Sequence, residues 1–138
     1  MRLTEQVARR RFGSARVARL ATVTPDGRPH IVPVTFAVDG EMIYTAVDAK
    51  PKSTTDLRRL DNMRAHPDVA VLADHYADDW TELWWVRADG RAEIVADPVA
   101  MSAPIALLTA RYPHYLAQSP PGPLIVVAVT RWTGWAAR

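Results

Sequence analysis

The chain has 138 residues, 49% of them hydrophobic and 23% charged, which is enough for one hydrophobic core and too little for two domains. It has no cysteine, which excludes disulfide scaffolds, thiolate zinc sites and cysteine nucleophiles and points to a cytoplasmic setting. The net charge is +2 and no nucleic-acid-binding motif accompanies the basic residues; 15 of these are arginine and only Lys50 and Lys52 are lysine.

No stretch approaches the roughly 18 to 20 unbroken apolar residues of a membrane span. The start, MRLTEQVARRRFG, lacks the apolar core of a signal peptide. The expectation is therefore a single domain over residues 1–138, neither exported nor embedded.

Thr4, followed by Glu5 and Gln6 with Leu3, Val7 and Phe12 apolar, predicts a short amphipathic helix that stops at Gly13 and covers one end of the core. Residues 17–23 have strand character, and Pro25-Asp26-Gly27 makes a turn in which proline presets φ and glycine supplies positive φ. Residues 29–38 alternate, with Ile31, Pro33, Thr35 and Ala37 on one face and His30, Val32, Val34, Phe36 and Val38 on the other. Asp39-Gly40 turns this strand into another over 41–47, so the three strands should form a meander.

Ser53-Thr54-Thr55-Asp56 has capping-box spacing, and Leu57, Leu60 and Met63 recur every third residue until His66-Pro67, which predicts a helix over 54–65. Residues 68–74 read as a buried strand and 75–79 as a polar loop. Residues 80–87 and 91–96 read as a hairpin across Ala88-Asp89-Gly90. Asp97-Pro98 supplies an N-cap with proline at the first helical position, opening a helix toward Arg111 with a kink or break at Pro104. Residues 118–123 form a stiff loop and 124–132 a closing strand. The sum is mainly β: a barrel with two or three covering helices.

The run Ala49-Lys50-Pro51-Lys52-Ser53-Thr54-Thr55 sets two ammonium groups and three hydroxyls beside a helix N-terminus, where unpaired N–H groups favour an anion. The alternative is a solvated loop whose Ser or Thr caps the helix. No Gly-rich phosphate cradle accompanies it, which excludes a Walker-type nucleotide site. Arg58-Arg59, one turn on, either reaches the same anion or forms the wet face of the helix; Arg9-Arg10-Arg11 reads as a solvated face.

Trp84 and Trp85 fall on opposite faces of one strand, one toward the core and the other toward solvent, a ligand or a partner. With Trp80, Trp132 and Trp135 they are too many to hide in so small a core. A planar ligand, a dimer interface or packing at a barrel mouth would each account for them. The stretch 74–79 mixes carboxylates with His75 but has no metal-ligand spacing, so no metal site is expected. No Gly-x-Ser-x-Gly elbow marks a nucleophile, and no catalytic residue is identified.

Taken in order, ATVTPDGRPH (21–30), IVPVTF (31–36), DGEMIYTAV (39–47), the Lys-Ser-Thr segment opening LRRLDNMRAHPDVAVL, and WTELWWVRADGRAEIV (80–95) resemble the flavin-binding split-barrel proteins of the pyridoxamine 5′-phosphate oxidase-like superfamily. The likeness extends over nearly the whole chain. The Lys-Ser-Thr helix start and the Leu-Trp-Trp-Val-Arg strand look most like the actinobacterial branch that uses the deazaflavin coenzyme F420.

This resemblance implies a homodimeric, FMN-binding-like split β-barrel with its cofactor in a groove between subunits. It implies phosphate contacts from Lys52, Ser53 and Thr54, joined by Lys50 and Arg58. It places the isoalloxazine-like ring along the backbone of Pro33-Val34-Thr35 and Tyr44-Thr45-Ala46, with Asp74, Trp80 or Arg87 completing the pocket from the same or the second subunit.

Members that oxidise pyridoxamine phosphate continue past the last strand into an Arg-Leu-x-Pro segment. Here RWTGWAAR stands in place of that segment, so vitamin B6 oxidation is not the expected activity. The implied activity is an F420-dependent oxidoreductase that passes a hydride to a small conjugated substrate. An FMN-dependent enzyme of the same fold, or a non-catalytic flavin or deazaflavin binder, is the alternative.

Overall fold

The computed structural model describes residues 1–47 and 54–138, apart from the side chains of residues 54–57. Its strands are β1 (Ala18–Val23), β2 (Pro29–Val34), β3 (Ala37–Asp39), β4 (Met42–Ala46), β5 (Asp68–His75), β6 (Trp84–Val95) and β7 (Leu124–Ala136). They form one sheet in the order β2-β1-β5-β6-β7-β4-β3, antiparallel throughout. Val34 from one edge strand and Ile43 from beside the other share a single core cluster with Leu20, Val71, Val86 and Val127. The sheet therefore curls around that core as a mainly β split barrel.

Helix α1 (Glu5–Ser14) closes one end of the barrel. The Thr4 side chain accepts a hydrogen bond from the Val7 N–H, and Ala8 and Phe12 are fully buried. The Phe12 ring lies 4.9 Å from Phe36 and 5.3 Å from Trp132. The helix runs through Gly13 rather than stopping there.

Helix α2 (Thr54–Ala65) ends ahead of His66-Pro67 as expected, because the residue before proline disfavours helical φ/ψ. It buries Leu60 and Met63 in the core, and the Asn62 side-chain amide donates to Thr22 Oγ1 at 3.0 Å. The arginine pair on it splits: Arg58 is exposed and Arg59 is buried.

Helix α3 (Pro98–Arg111) starts on the Asp97 carboxylate, which accepts from the Ala100 N–H, and is followed by the short helix α4 (His114–Ala117). Of the kink or break expected at Pro104, the break is not made: the helix continues through it. Met101, Ile105 and Leu108 span the proline on one face and pack against a second cluster with Ala37, Ala46, Tyr112 and Leu124. That packing holds the helix together despite the hydrogen bond a proline removes.

Three further sequence expectations need correction. The run 29–38 is two strands that part at Thr35-Phe36, and they end up on opposite edges of the sheet. There is accordingly no three-stranded meander: β1 pairs with β2 and β5, while β4 pairs with β3 and β7. Ala88-Asp89-Gly90 is no turn either, because β6 passes straight through it and pairs along its whole length with β7, which itself extends to Ala136.

The register between those strands slips at Asp89/Gly90, leaving Thr130 as an extra residue on β7. This bulge flips the alternation of β7. Ile125, Val127 and Val129 face the core before it, and Trp132 does so after it.

Among the described residues no helix is long and apolar enough to cross a membrane.

Candidate functional site

Outward-facing residues of neighbouring strands fall into rows. One row is Pro33, Arg19, Leu72, Arg87 and Thr133; the next is Ile31, Ala21, Ala70 and Asp89. Asp74, Trp85 and Trp135 make a third. Ala21 and Ala70 are too short to fill the middle of this surface, and an open hollow of about 410 Å³ results, to which Arg19, Leu72, Trp85 and Arg87 contribute walls.

Its charges are loosely tied. Arg19 pairs with Asp74 at 3.9 Å, beyond hydrogen-bond range, and Arg87 meets Asp89 through Nε at 3.2 Å. These half-exposed pairs contribute little stability; the Arg19 contact is through the terminal Nη1, whereas Arg87 engages its acid through Nε.

A second constellation sits where β2 gives way to β3. The Thr35 hydroxyl lies 2.9 Å from the Tyr115 hydroxyl. The Tyr112 hydroxyl accepts from the Phe36 N–H at 3.1 Å and lies 3.0 Å, as donor, from the carbonyl oxygens of Arg16 and Phe36. Arg111 donates to the Phe36 carbonyl at 2.9 Å and also to that of Ala15. This buried network fixes α3 and α4 against the corner, because each strand-end carbonyl or N–H would otherwise be orphaned.

The sequence-predicted residues divide between these two places. Pro33, Asp74 and Arg87 belong to the outer face with the hollow. Thr35, Tyr44 and Ala46 lie on the α3 and α4 side, the last two packed into that helix's cluster. Val34 and Thr45 are buried, so only their backbones remain for a ligand. Among the described residues β2 is an edge strand, so half of its backbone N–H and C=O groups have no strand partner there.

Arg58 is exposed on α2. Lys50, Lys52, Ser53 and the Thr54 side chain lie outside the described residues, although the Thr54 backbone opens α2 directly after them. Arg19 was missed by sequence reasoning; its only signal was its place between inward-facing Ala18 and Leu20.

Trp80 is 74% exposed and does not line the hollow. It begins a 3-10 turn, Trp80–Glu82, whose N-cap is Asp79. The Thr81 hydroxyl and then the Thr81 N–H donate to that carboxylate and hold its pKa below the usual value. A depressed carboxylate pKa stabilises the fold above its unfolded value, and that stabilisation is lost as pH falls through the folded value. The turn should therefore open locally in acid, read as a lower protection factor at Leu83, relative to the intrinsic exchange rate at the same pH; its N–H bonds the Trp80 carbonyl. Protection at Leu83 that is the same on both sides of the carboxylate range would refute this.

The family model described as pyridoxamine 5′-phosphate oxidase matches residues 3–136. No curated protein matches the sequence. Among solved structures, an FAD-binding protein from Mesorhizobium loti is 21% identical, with 97% of this chain and 95% of that one covered and a TM-score of 0.76. A conserved hypothetical protein of Mycobacterium tuberculosis is 26% identical over 99% of this chain and 86% of that one, with a TM-score of 0.77. The FAD binding protein of Mycobacterium smegmatis is 21% identical over 98% and 96%, with a TM-score of 0.66.

Proposed function

Because this chain belongs to the pyridoxamine 5′-phosphate oxidase family, we propose that it is a cytoplasmic oxidoreductase that binds coenzyme F420 and transfers a hydride between that cofactor and a small conjugated substrate. The observation that carries the reading is the ordered set of family motifs across residues 3–136, with Lys50-Pro51-Lys52-Ser53 running straight into the N-terminus of the 12-residue helix α2. The residues fit such a cofactor. A helix N-terminus preceded by two lysines suits a phosphate, and the open edge of β2 offers backbone donors and acceptors to a heterocycle.

Bound there, the deazaflavin supplies the hydride chemistry. The chain's own part is to bind and orient. Lys52, Ser53 and Thr54, helped by Lys50 and Arg58, hold the phosphate. The strand edge at Pro33-Val34-Thr35 and the Tyr44-Thr45-Ala46 segment align the ring. The Tyr115 hydroxyl fixes the rotamer of Thr35 at 2.9 Å. A second copy of the chain completes the groove and excludes water from it, with Asp74, Trp80 or Arg87 at its margin.

A flavin such as FMN in the same position is the second reading; two structures of the same fold, from Mesorhizobium loti and Mycobacterium smegmatis, are described as FAD-binding. Parallel fluorescence titrations with the deazaflavin and FMN separate the two, and turnover with an artificial hydride acceptor separates an enzyme from a carrier. Tight binding of the deazaflavin alone is expected.

Lys52→Ala should weaken cofactor binding several-fold to about a hundredfold, on the scale of one charge-assisted phosphate contact. An unchanged Kd in the folded variant would remove Lys52 from the anchor. Light scattering should give a dimer at micromolar concentration; a monomer would rule out a groove between subunits.

A further inference from the structure

We propose that Tyr112, supported by Arg111, is a positioning residue for the cofactor ring: by gripping the Phe36 N–H it aims the Thr35 carbonyl at a ring N–H. This rests on the cofactor reading above and deepens it, since neither residue belongs to the phosphate anchor or to the strand edge itself.

The corner between β2 and β3 is where the ladders run out. Pairing with β1 stops at Val34 and pairing with β4 starts at Ala37, so Thr35 and Phe36 lie outside both. Phe36 is buried, and an unmade hydrogen bond there would cost the full desolvation of the group. The end of α3 meets that need. The Tyr112 hydroxyl accepts from the Phe36 N–H at 3.1 Å, and Arg111 donates to the Phe36 carbonyl at 2.9 Å.

That N–H belongs to the same planar unit as the Thr35 carbonyl. A trans peptide points its C=O opposite to its N–H, and the cis bond among the described residues lies elsewhere, at Gly122-Pro123. With the N–H turned toward Tyr112, the Thr35 carbonyl is turned away from it. Among the described residues no donor bonds that carbonyl, and Thr35 is half-buried rather than enclosed. A fixed, unspent acceptor in the segment that aligns the ring suits the N–H of a heterocycle.

The grip is itself held from several sides. The Tyr112 hydroxyl also lies 3.0 Å, as donor, from the carbonyls of Arg16 and Phe36, and Arg111 reaches the Ala15 carbonyl at the end of α1. Arg16 donates back to the Arg111 carbonyl at 2.8 Å, in the last turn of α3, where carbonyls lack a helical partner. Both guanidinium groups lie against the Tyr112 ring, Arg16 at 4.9 Å and Arg111 at 5.3 Å. Leu108, Met101 and Ile105 already seat α3 on the sheet. The polar cluster adds something that packing does not supply, a fixed orientation for one peptide plane.

Thr35-Phe36 is the only Thr-Phe step in the sequence. Carbonyl-labelled threonine and nitrogen-labelled phenylalanine together therefore give a single NMR cross-peak that reads this peptide in the full-length protein. Adding the deazaflavin or FMN to wild type should move the carbonyl shift, because the Thr35 oxygen accepts a hydrogen bond. Tyr112→Phe keeps the ring and removes the hydroxyl. It should move the Phe36 amide proton in the free protein, suppress the carbonyl response to cofactor and weaken cofactor binding about tenfold. Arg111→Gln should weaken binding in the same sense, and Arg111→Lys, which still reaches one carbonyl, should recover part of the loss. Val69→Ala truncates the core on β5, away from the corner. It controls for lost stability and should leave both the affinity and the carbonyl response unchanged.

Cofactor binding to wild type without a carbonyl response, a Tyr112→Phe affinity within about twofold of wild type, or an equal loss in Val69→Ala would overturn the assignment. If Tyr112→Phe does not fold, the Arg111 variants carry the comparison, and an Arg111→Gln affinity equal to wild type would overturn it likewise. Failure of wild type to bind either cofactor would instead remove the cofactor reading, and the positioning role with it.

Discussion

Replacing Phe36 with alanine should lower the free energy of unfolding by about 3–5 kcal/mol, the usual loss when a large aromatic is cut from a core that cannot collapse around the space. The Phe36 side chain is fully buried, and its ring packs at a tilt of 53° against Phe12 with centroids 4.9 Å apart; Phe12 in turn meets Trp132. One residue thus joins α1, the β2–β3 corner and β7. The Arg111 guanidinium lies 4.9 Å above the same ring, so truncation also loosens the α3 anchor.

Such a loss is a large share of the 5–15 kcal/mol that holds a typical domain together. Urea denaturation of the variant, with an unchanged m-value, measures it. A loss below about 1.5 kcal/mol would mean that the neighbouring rings close the gap, contrary to the rigid packing inferred here. Thr35 is the next residue along, so cofactor affinity should fall in the same variant even where it remains folded.

Gly90→Ala should destabilise by about 3 kcal/mol, at the upper end for overpacking. A Cβ placed there would overlap the Ala128 carbonyl oxygen of the facing strand and come within 2.9 Å of Val127 Cγ1. The obstacle includes backbone, which cannot rotate aside, so β6 and β7 must separate at the bulge. The hollow lies on the same strand, with Arg87 and Asp89 just upstream. Thermal unfolding should register the change, and the Arg87–Asp89 pair should shift with it. A melting temperature equal to wild type would show that the strands part there without cost. Gly13, with nothing within 4 Å of the corresponding position, is the built-in contrast.

Much of the fold was legible because its signals are local. Thr4 and Asp97 cap helices through side-chain contacts three residues away. Gly27 and Gly40 turn the chain with φ of 90° and 59°, conformations that few other residues adopt. The family resemblance was legible too, because it rests on the order of short motifs.

At the site, Asp74 and Arg87 were named from sequence and do meet on one face, but Arg19 was not. Arg19 and Asp74 are 55 positions apart in the chain, and only the β1–β5 register sets them together.

What the sequence alone determined, then, is what a few neighbouring residues can decide: helix starts, tight turns, inward and outward alternation, and the class of the domain. What only the tertiary structure decided is where long-range pairing competes with a local signal. Ala88-Asp89-Gly90 has the residues of a turn, yet β5 and β7 both hydrogen-bond across it, and glycine is needed there for the close approach of Ala128. Pro104 has the chemistry of a helix break, yet burial of Leu108 and packing of the half-buried Ile105 outweigh one missing hydrogen bond. The two halves of 29–38 share one alternating pattern, yet curling the sheet sends them to opposite edges, because the barrel buries more apolar surface than a flat meander can.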